Sequence, residues 1–442
     1  MHRSVVLALV ASAVPSFVCA QAVPFTRPQV QVRGFANEHV NVPLLSPDRV
    51  VVRYGKAVSE DALKSLSREI GLPIIDRGLH GEFVVFRADA ESVDSWVEWF
   101  AAQPGVEYAE RDPIASTTAA PTDPLWAPYQ WNFYNYGALS NGRATNFGIQ
   151  AEGAWTAGAT GTGVVVAVID TGIAYENYGA FTQAPDLAGR TFVAPYDAVT
   201  GDGHANDENG HGTHCAGTIA QSTNNGIGCA GVAYNCTLMP VRALDASGSG
   251  SLTWIANGVT WAQSNGAKVA SMSLGGGAGS TTLQSAITSA VNAGMTVCAA
   301  TGNTSRKGLQ YPAAYTPTIA VGATRFDGTR PRYSTFGTGI DVSAPGGDTS
   351  VDQNADGYAD GILQQTFATG TPTTFGYYFF QGTSMATPHV AAVAALVRSV
   401  RPTYTAAQVR SAIETSCKDR GTTGYDTTYG FGIVNAALAI TR

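Results

Sequence analysis

The stretch that most constrains the fold runs from Gly163 to Ala323, where short apolar segments alternate with segments of helical spacing. GVVVAVID (Gly163 to Asp170), TLMPVRAL (Thr237 to Leu244), AKVASMSL (Ala267 to Leu274), GMTVCAA (Gly294 to Ala300) and TIAVGA (Thr318 to Ala323) lack the alternation of a half-exposed strand. A strand apolar on both sides needs cover on both faces, which is the situation of a parallel sheet between helices. Helical patterns over His211 to Gln221, Thr253 to Ser264 and Thr281 to Asn292 can supply that cover. The alternation predicts an α/β domain with a doubly wound, mostly parallel sheet. Reactive groups in such sheets gather beyond the carboxyl ends of the strands, and Asp170 stands at such an end.

Two later segments give Asp170 possible partners. NGHGTHCAGTIA opens a helix on His211, and GTSMATPHVAAVAALV (Gly382 to Val397) puts Ser384 at the head of another, with Pro388 expected in its opening turn. A serine before an apolar helix is by itself a plain N-cap. An acid, an imidazole and a hydroxyl together support nucleophilic hydrolysis: His211 as the base for Ser384, Asp170 fixing the imidazole tautomer. A lipase or esterase on another α/β fold would carry G-x-S-x-G with acid and histidine after the serine. Here both precede it, and Ala386 replaces the second glycine.

DTG at Asp170, GHGTHCAG at His211 and GTSMATPHVA at Ser384 resemble the three signature segments of the subtilisin-like serine proteases, and the cysteine after GHGTH resembles the proteinase K branch. The likeness runs from about Trp131 to Ile440. It implies a serine endopeptidase working through an acyl-enzyme, or, if silent, a binding protein on the same fold. It further implies that Asn303 in AATGN is the oxyanion-hole amide. Two backbone edges that hold an extended substrate would be Ser273, Leu274 and Gly275 on one side and Gly248, Ser249 and Gly250 on the other. Gln310 falls near a pocket-floor position where the family often has glycine, which leaves the primary specificity open.

Residues before about 115 carry more charge and less glycine. Strand, helix, strand, helix, strand over Arg49 to Asp112, with room for a further strand at Leu72 to Asp76, suits a small α+β ferredoxin-like module. Residues 23 to about 115 resemble the family's inhibitor-type propeptide, implying that the chain's own N-terminal module is an intramolecular inhibitor. The expected organisation is a signal peptide at 1–20, a propeptide at 21–115, a linker and processing region at 116–124, and a catalytic domain at 125–442. His2 and Arg3 before the apolar run Val5 to Val18 read as an export signal, with a lipid-anchored Cys19 as the lesser alternative. No later run is long enough to span a membrane. A net charge of -7 with only 13% charged residues argues against nucleic acid as the partner. A secreted monomer acting on polypeptides is expected.

Of six cysteines, Cys215, Cys229, Cys236, Cys298 and Cys417 remain after Cys19 leaves with the signal. An odd number leaves a thiol unpaired; Cys229 with Cys236 is the bridge candidate, both being free the alternative. Calcium is the expected metal, as a structural ion. DQNADGYAD sets Asp352, Asn354, Asp356 and Asp360 at alternating positions, although Leu363 departs from an EF-hand loop, and an ordinary acidic loop is the alternative. This loop lies in an insertion from about Gly347 to Phe380. Asp202, Asn206 and Asp207 form a weaker candidate. His214 could pair with His211 on a metal, but it is read as structural, His389 as a packed core histidine and His204 as a loop residue.

Overall fold

Strand Val165–Asp170 shows why the apolar runs are uniform: Val166 and Val168 enter one core and Ala167 and Ile169 the other. It sits inside a seven-stranded sheet ordered Val342–Pro345, Ile319–Thr324, Thr296–Ala300, Val269–Met272, Val165–Asp170, Thr237–Arg242, Tyr196–Asp197. Every neighbouring pair is parallel. Helices His211–Ala220 and Thr383–Val400 contribute to the first core, and Leu252–Ser264 and Thr281–Asn292 to the second. The doubly wound α/β architecture expected from the sequence is the one observed.

This computed structural model describes residues 22–24, 44–55, 58–78, 81–89, 92–114, 120–134, 137, 142 and 145–442. The expected signal segment at 1–20, with Cys19, lies outside them, as do residues 116–119 of the expected linker. The chain divides into two units, Val30–Thr118 and the remainder. In the smaller unit an antiparallel sheet runs in the order Ile74–Arg77, Val84–Arg87, Leu44–Tyr54, Val106–Ile114. Helix Glu60–Ile70 is capped by Ser59 Oγ, which accepts from Ala62 N, and is closed by Gly71 at φ 73°. With helix Val93–Ala101 the order is βαββαβ, around Val50, Val52, Leu63, Phe86 and Phe100. Among the described residues no helix is long and apolar enough to cross a membrane.

Three features depart from the reading above or add to it. Cys229 and Cys236 form no disulfide: both are free and buried, Cys229 beside Leu363 and Phe379, Cys236 in the large first core. The insertion carries, besides the acidic loop, an antiparallel hairpin of Ile362–Phe367 and Phe375–Phe380, whose second strand lies in the middle because it also pairs with Ala22–Pro24. Finally, Pro388 is the sixth residue of helix Thr383–Val400, beyond the opening turn.

Candidate active site

Asp170 closes its strand with Oδ1 accepting Thr171 N at 2.8 Å and lying 2.7 Å from His211 Nδ1, both residues buried. An ionised carboxylate only accepts, so Nδ1 carries a proton and Nε2 is the basic nitrogen of the neutral ring. Gly212 permits the approach, since a Cβ there would come within 2.1 Å of Gly172 O.

Asp207 explains where the histidine's helix begins. Its Oδ1 accepts from Thr171 Oγ1, Asn209 N and Gly210 N, and its Oδ2 from Thr213 N and Thr213 Oγ1, at 2.7 to 2.9 Å. Burial raises the pKa of this carboxyl while those donors oppose the shift. Asp207 is therefore a helix-start anchor, with both of its oxygens engaged. Of the other two residues of the weaker cation candidate, Asp202 caps its own loop at His204 N and Thr200 Oγ1, and Asn206 Nδ2 donates to Glu176.

Ser384 is the second residue of helix Thr383–Val400 and 3% exposed. Pro388 lacks the N–H that would bond Ser384 O within the helix. That carbonyl instead accepts Ser273 Oγ at 2.8 Å and the Cys215 thiol at 3.6 Å. Cys215 Sγ is also 3.9 Å from His211 Nδ1, so one thiol bridges the acid–imidazole pair to residue 384. Burial raises its pKa, which keeps it a thiol and no rival nucleophile. Asn303 Oδ1 accepts both Thr383 N and Thr383 Oγ1 at 2.9 Å. A backbone N–H can only donate, so this fixes the amide's orientation and leaves Nδ2 for another acceptor.

Residues 161–432 match the model of the subtilase family. The chain belongs to that family. It is 39% identical over 431 residues to an extracellular protease of Xanthomonas campestris pv. campestris, covering 89% of this chain and 67% of that one. It is 42% identical over 294 residues to Subtilisin Savinase of Lederbergia lenta, covering 66% and 96%. The structure of a protease from Pseudoalteromonas arctica PAMC 21717 superposes with a TM-score of 0.63 at 34% identity, covering 73% of this chain and 99% of that chain. As a subtilase the protein is a serine endopeptidase, and its substrates are polypeptides.

Other residues expected in this subtilase's cleft fall as follows. Ser273 turns its hydroxyl to Ser384 O, Leu274 is buried in the second core, and Gly275 lies between them and Gly276, which pairs with Tyr311. In the loop of Gly248, Ser249 and Gly250, Asp245 ties the N–H of Gly248 and both backbone groups of Ser249 into a closed turn. The Gly248 carbonyl and Gly250 N–H stand outside those bonds. Gln310 lies between Gly275 and Gly302: a Cβ on Gly302 would meet its Cδ at 2.6 Å, and one on Gly275 its Cβ at 3.3 Å.

Three further histidines among the described residues make ordinary contacts. His389 is held by Asn132 Nδ2 and Met385 O, and burial lowers its pKa to about 4. His204 stacks on Tyr178 at 3.5 Å and bonds Glu176. His214 Nε2 faces two carbonyls, Ile362 O and Tyr378 O, and its pKa falls to about 3 by burial. Thr171 and Thr383 were not singled out from the sequence, and Asp207 was named only as part of the weaker cation candidate, not for its role at the head of the His211 helix. The available signal was their position: each is adjacent to, or four residues before, a member of the constellation.

Proposed function

We propose that Asp170, His211 and Ser384 act as a catalytic triad in a secreted enzyme made as a self-processing precursor. The observation that carries this is the buried 2.7 Å bond from His211 Nδ1 to Asp170 Oδ1, linked through Cys215 to residue 384. His211 Nε2 takes the Ser384 proton as Oγ attacks a peptide carbonyl. The resulting oxyanion meets Asn303 Nδ2 and the positive end of helix Thr383–Val400. Collapse returns the proton to the leaving amine and leaves an acyl-enzyme, which water hydrolyses by the same base. A fluorophosphonate probe tests this: labelling mapped to Ser384 is expected, and an unlabelled mature protein would point instead to a silent binding protein.

Export rests on the leader-like residues 1–20 and on the name of the Xanthomonas relative, an extracellular protease. Unit Val30–Thr118 is the candidate inhibitor module. The processing cut belongs before Thr122, because Thr122 N donates to Asn224 Oδ1 and Asp123 accepts from Asn224 N and Asn225 N. Those bonds keep residues from Thr122 onward with the catalytic unit. N-terminal sequencing of secreted enzyme should therefore read Thr122 or an earlier residue; a start at Asp123 or beyond refutes this placement.

Calcium in the Asp352–Asp360 loop remains the metal proposal. Asp352, Asn354 and Asp356 accept backbone N–H groups of Asp356, Gly357 and Tyr358, and Asp360 accepts Gln353 N. Burial, then the charges of Asp352, Asp356 and Asp327, raise Asp360 to about 7. Each carboxylate retains lone pairs for a hard cation, so the donor set fits. Calcium at 100 times its Kd would add about 2.7 kcal/mol of stability. Chelation should then lower Tm by several degrees, and an unchanged Tm marks an ordinary acidic loop.

A further inference from the structure

We propose that His214 is a positioning residue that sets the spacing between His211 and Ser384; this rests on the triad reading above. His214 lies three residues past His211 on helix His211–Ala220 and is fully buried. Its Nε2 is 3.0 Å from Ile362 O and 3.2 Å from Tyr378 O, and its ring stacks on Phe380 with centroids 4.2 Å apart and planes 5° from parallel. Ile362 and Phe380 are partners across the hairpin. The imidazole thus grips both strands at once.

What makes this grip matter is where the second strand leads. Phe375–Phe380 passes through Gln381, Gly382 and Thr383 directly into Ser384. One side chain therefore joins the helix that carries His211 to the strand that delivers Ser384. Two carbonyls can only accept, so Nε2 bears the proton and the neutral ring donates a shared bond. Burial, which brings its pKa to about 3, keeps the ring in that form at ordinary pH.

A stability role alone would favour an apolar ring. Among the described residues His214 Nδ1 has no hydrogen-bond partner although it is buried, and a buried polar atom left unpaired costs stability. Phenylalanine would keep the stack on Phe380 and remove that cost. The retained N–H is then explained by alignment: proton transfer from Ser384 to His211 depends steeply on geometry, and a misplacement of about 1 Å can cost ~100-fold in rate.

The test compares His214→Phe and His214→Gln with wild type, using the matured product of the full chain. His214→Phe should lower kcat about 10- to 100-fold, with KM within threefold of wild type and Tm not lowered. Fluorophosphonate labelling of Ser384 should slow in parallel. His214→Gln, whose Nε2 restores a donor, should recover most of the lost kcat. A His214→Phe chain that fails to fold, or that folds and keeps wild-type kcat, overturns the proposal, as does a folded His214→Gln variant no faster than His214→Phe. Absence of labelling in wild type would instead sink the triad reading, so the two failures are distinguishable.

Discussion

Ser384→Ala is expected to fold normally and to lose as much as about 10⁶-fold in kcat, the size of loss known for removing the nucleophile of subtilisin itself. The fold should tolerate it because the backbone carbonyl of residue 384, not its hydroxyl, makes the contacts with Ser273 and Cys215. Alanine also suits the second position of a helix. The loss should be so large because Ser384 is the hydroxyl proposed for activation by the Asp170–His211 pair, and the Cys215 thiol is held protonated by burial. The variant should also accumulate as an untrimmed precursor. Peptide hydrolysis measures the first consequence and electrophoresis the second. Trimming of Ser384→Ala in a protease-free expression system would refute self-processing, and retained hydrolysis would remove Ser384 from the mechanism.

Much of this architecture was legible because its signal is local. Val165 to Asp170 reads as a doubly covered strand from its own residues, and it is one, with alternate side chains in two different cores. What escaped depends on contacts distant in sequence. ILQQTF does not read as a buried strand, since its two glutamines are polar. They are buried because Gln365 Oε1 accepts Asp186 N at 2.7 Å and Gln364 Nε2 donates to Ala230 O at 3.2 Å. VSAP, at Val342–Pro345, is four residues of weak pattern ending in proline, and only its parallel pairing with Ile319–Thr324 makes it a strand. Cys229 and Cys236 share a loop-rich stretch before a strand, which makes them a bridge candidate, but the two side chains enter different apolar clusters. Pro388 looked like a helix-opening residue because its cost in a helix interior is high. That cost is reduced here by Ser273 and Cys215, which take the carbonyl its missing N–H abandons.

Specificity should yield to a single change at Gln310. Its side chain stands between Gly275 and Gly302, and both glycines adjoin groups that contact the nucleophile segment: Ser273 Oγ bonds Ser384 O, and Gly302 N bonds Thr383 Oγ1. A slot walled by two glycine backbones near the proposed nucleophile can take a flat side chain from the substrate. Here the protein's own glutamine fills that space, and at Gly302 a Cβ would already meet Gln310 Oε1 at 2.2 Å. Wild type should therefore prefer a small uncharged residue before the scissile bond. Gln310→Gly should raise kcat/KM for phenylalanine at that position by roughly 10- to 200-fold, the range for about 1–3 kcal/mol of pocket fit, with alanine substrates within a few-fold. Gln310 N and O also make backbone bonds, to Thr301 O and from Ala314 N, which glycine retains, so the effect belongs to the side chain. A series of peptide anilides differing only in the residue before the cleaved bond measures it. If wild type hydrolyses the phenylalanine member as fast as the variant does, the glutamine swings out of the slot at no cost, and the preference must be set by other groups.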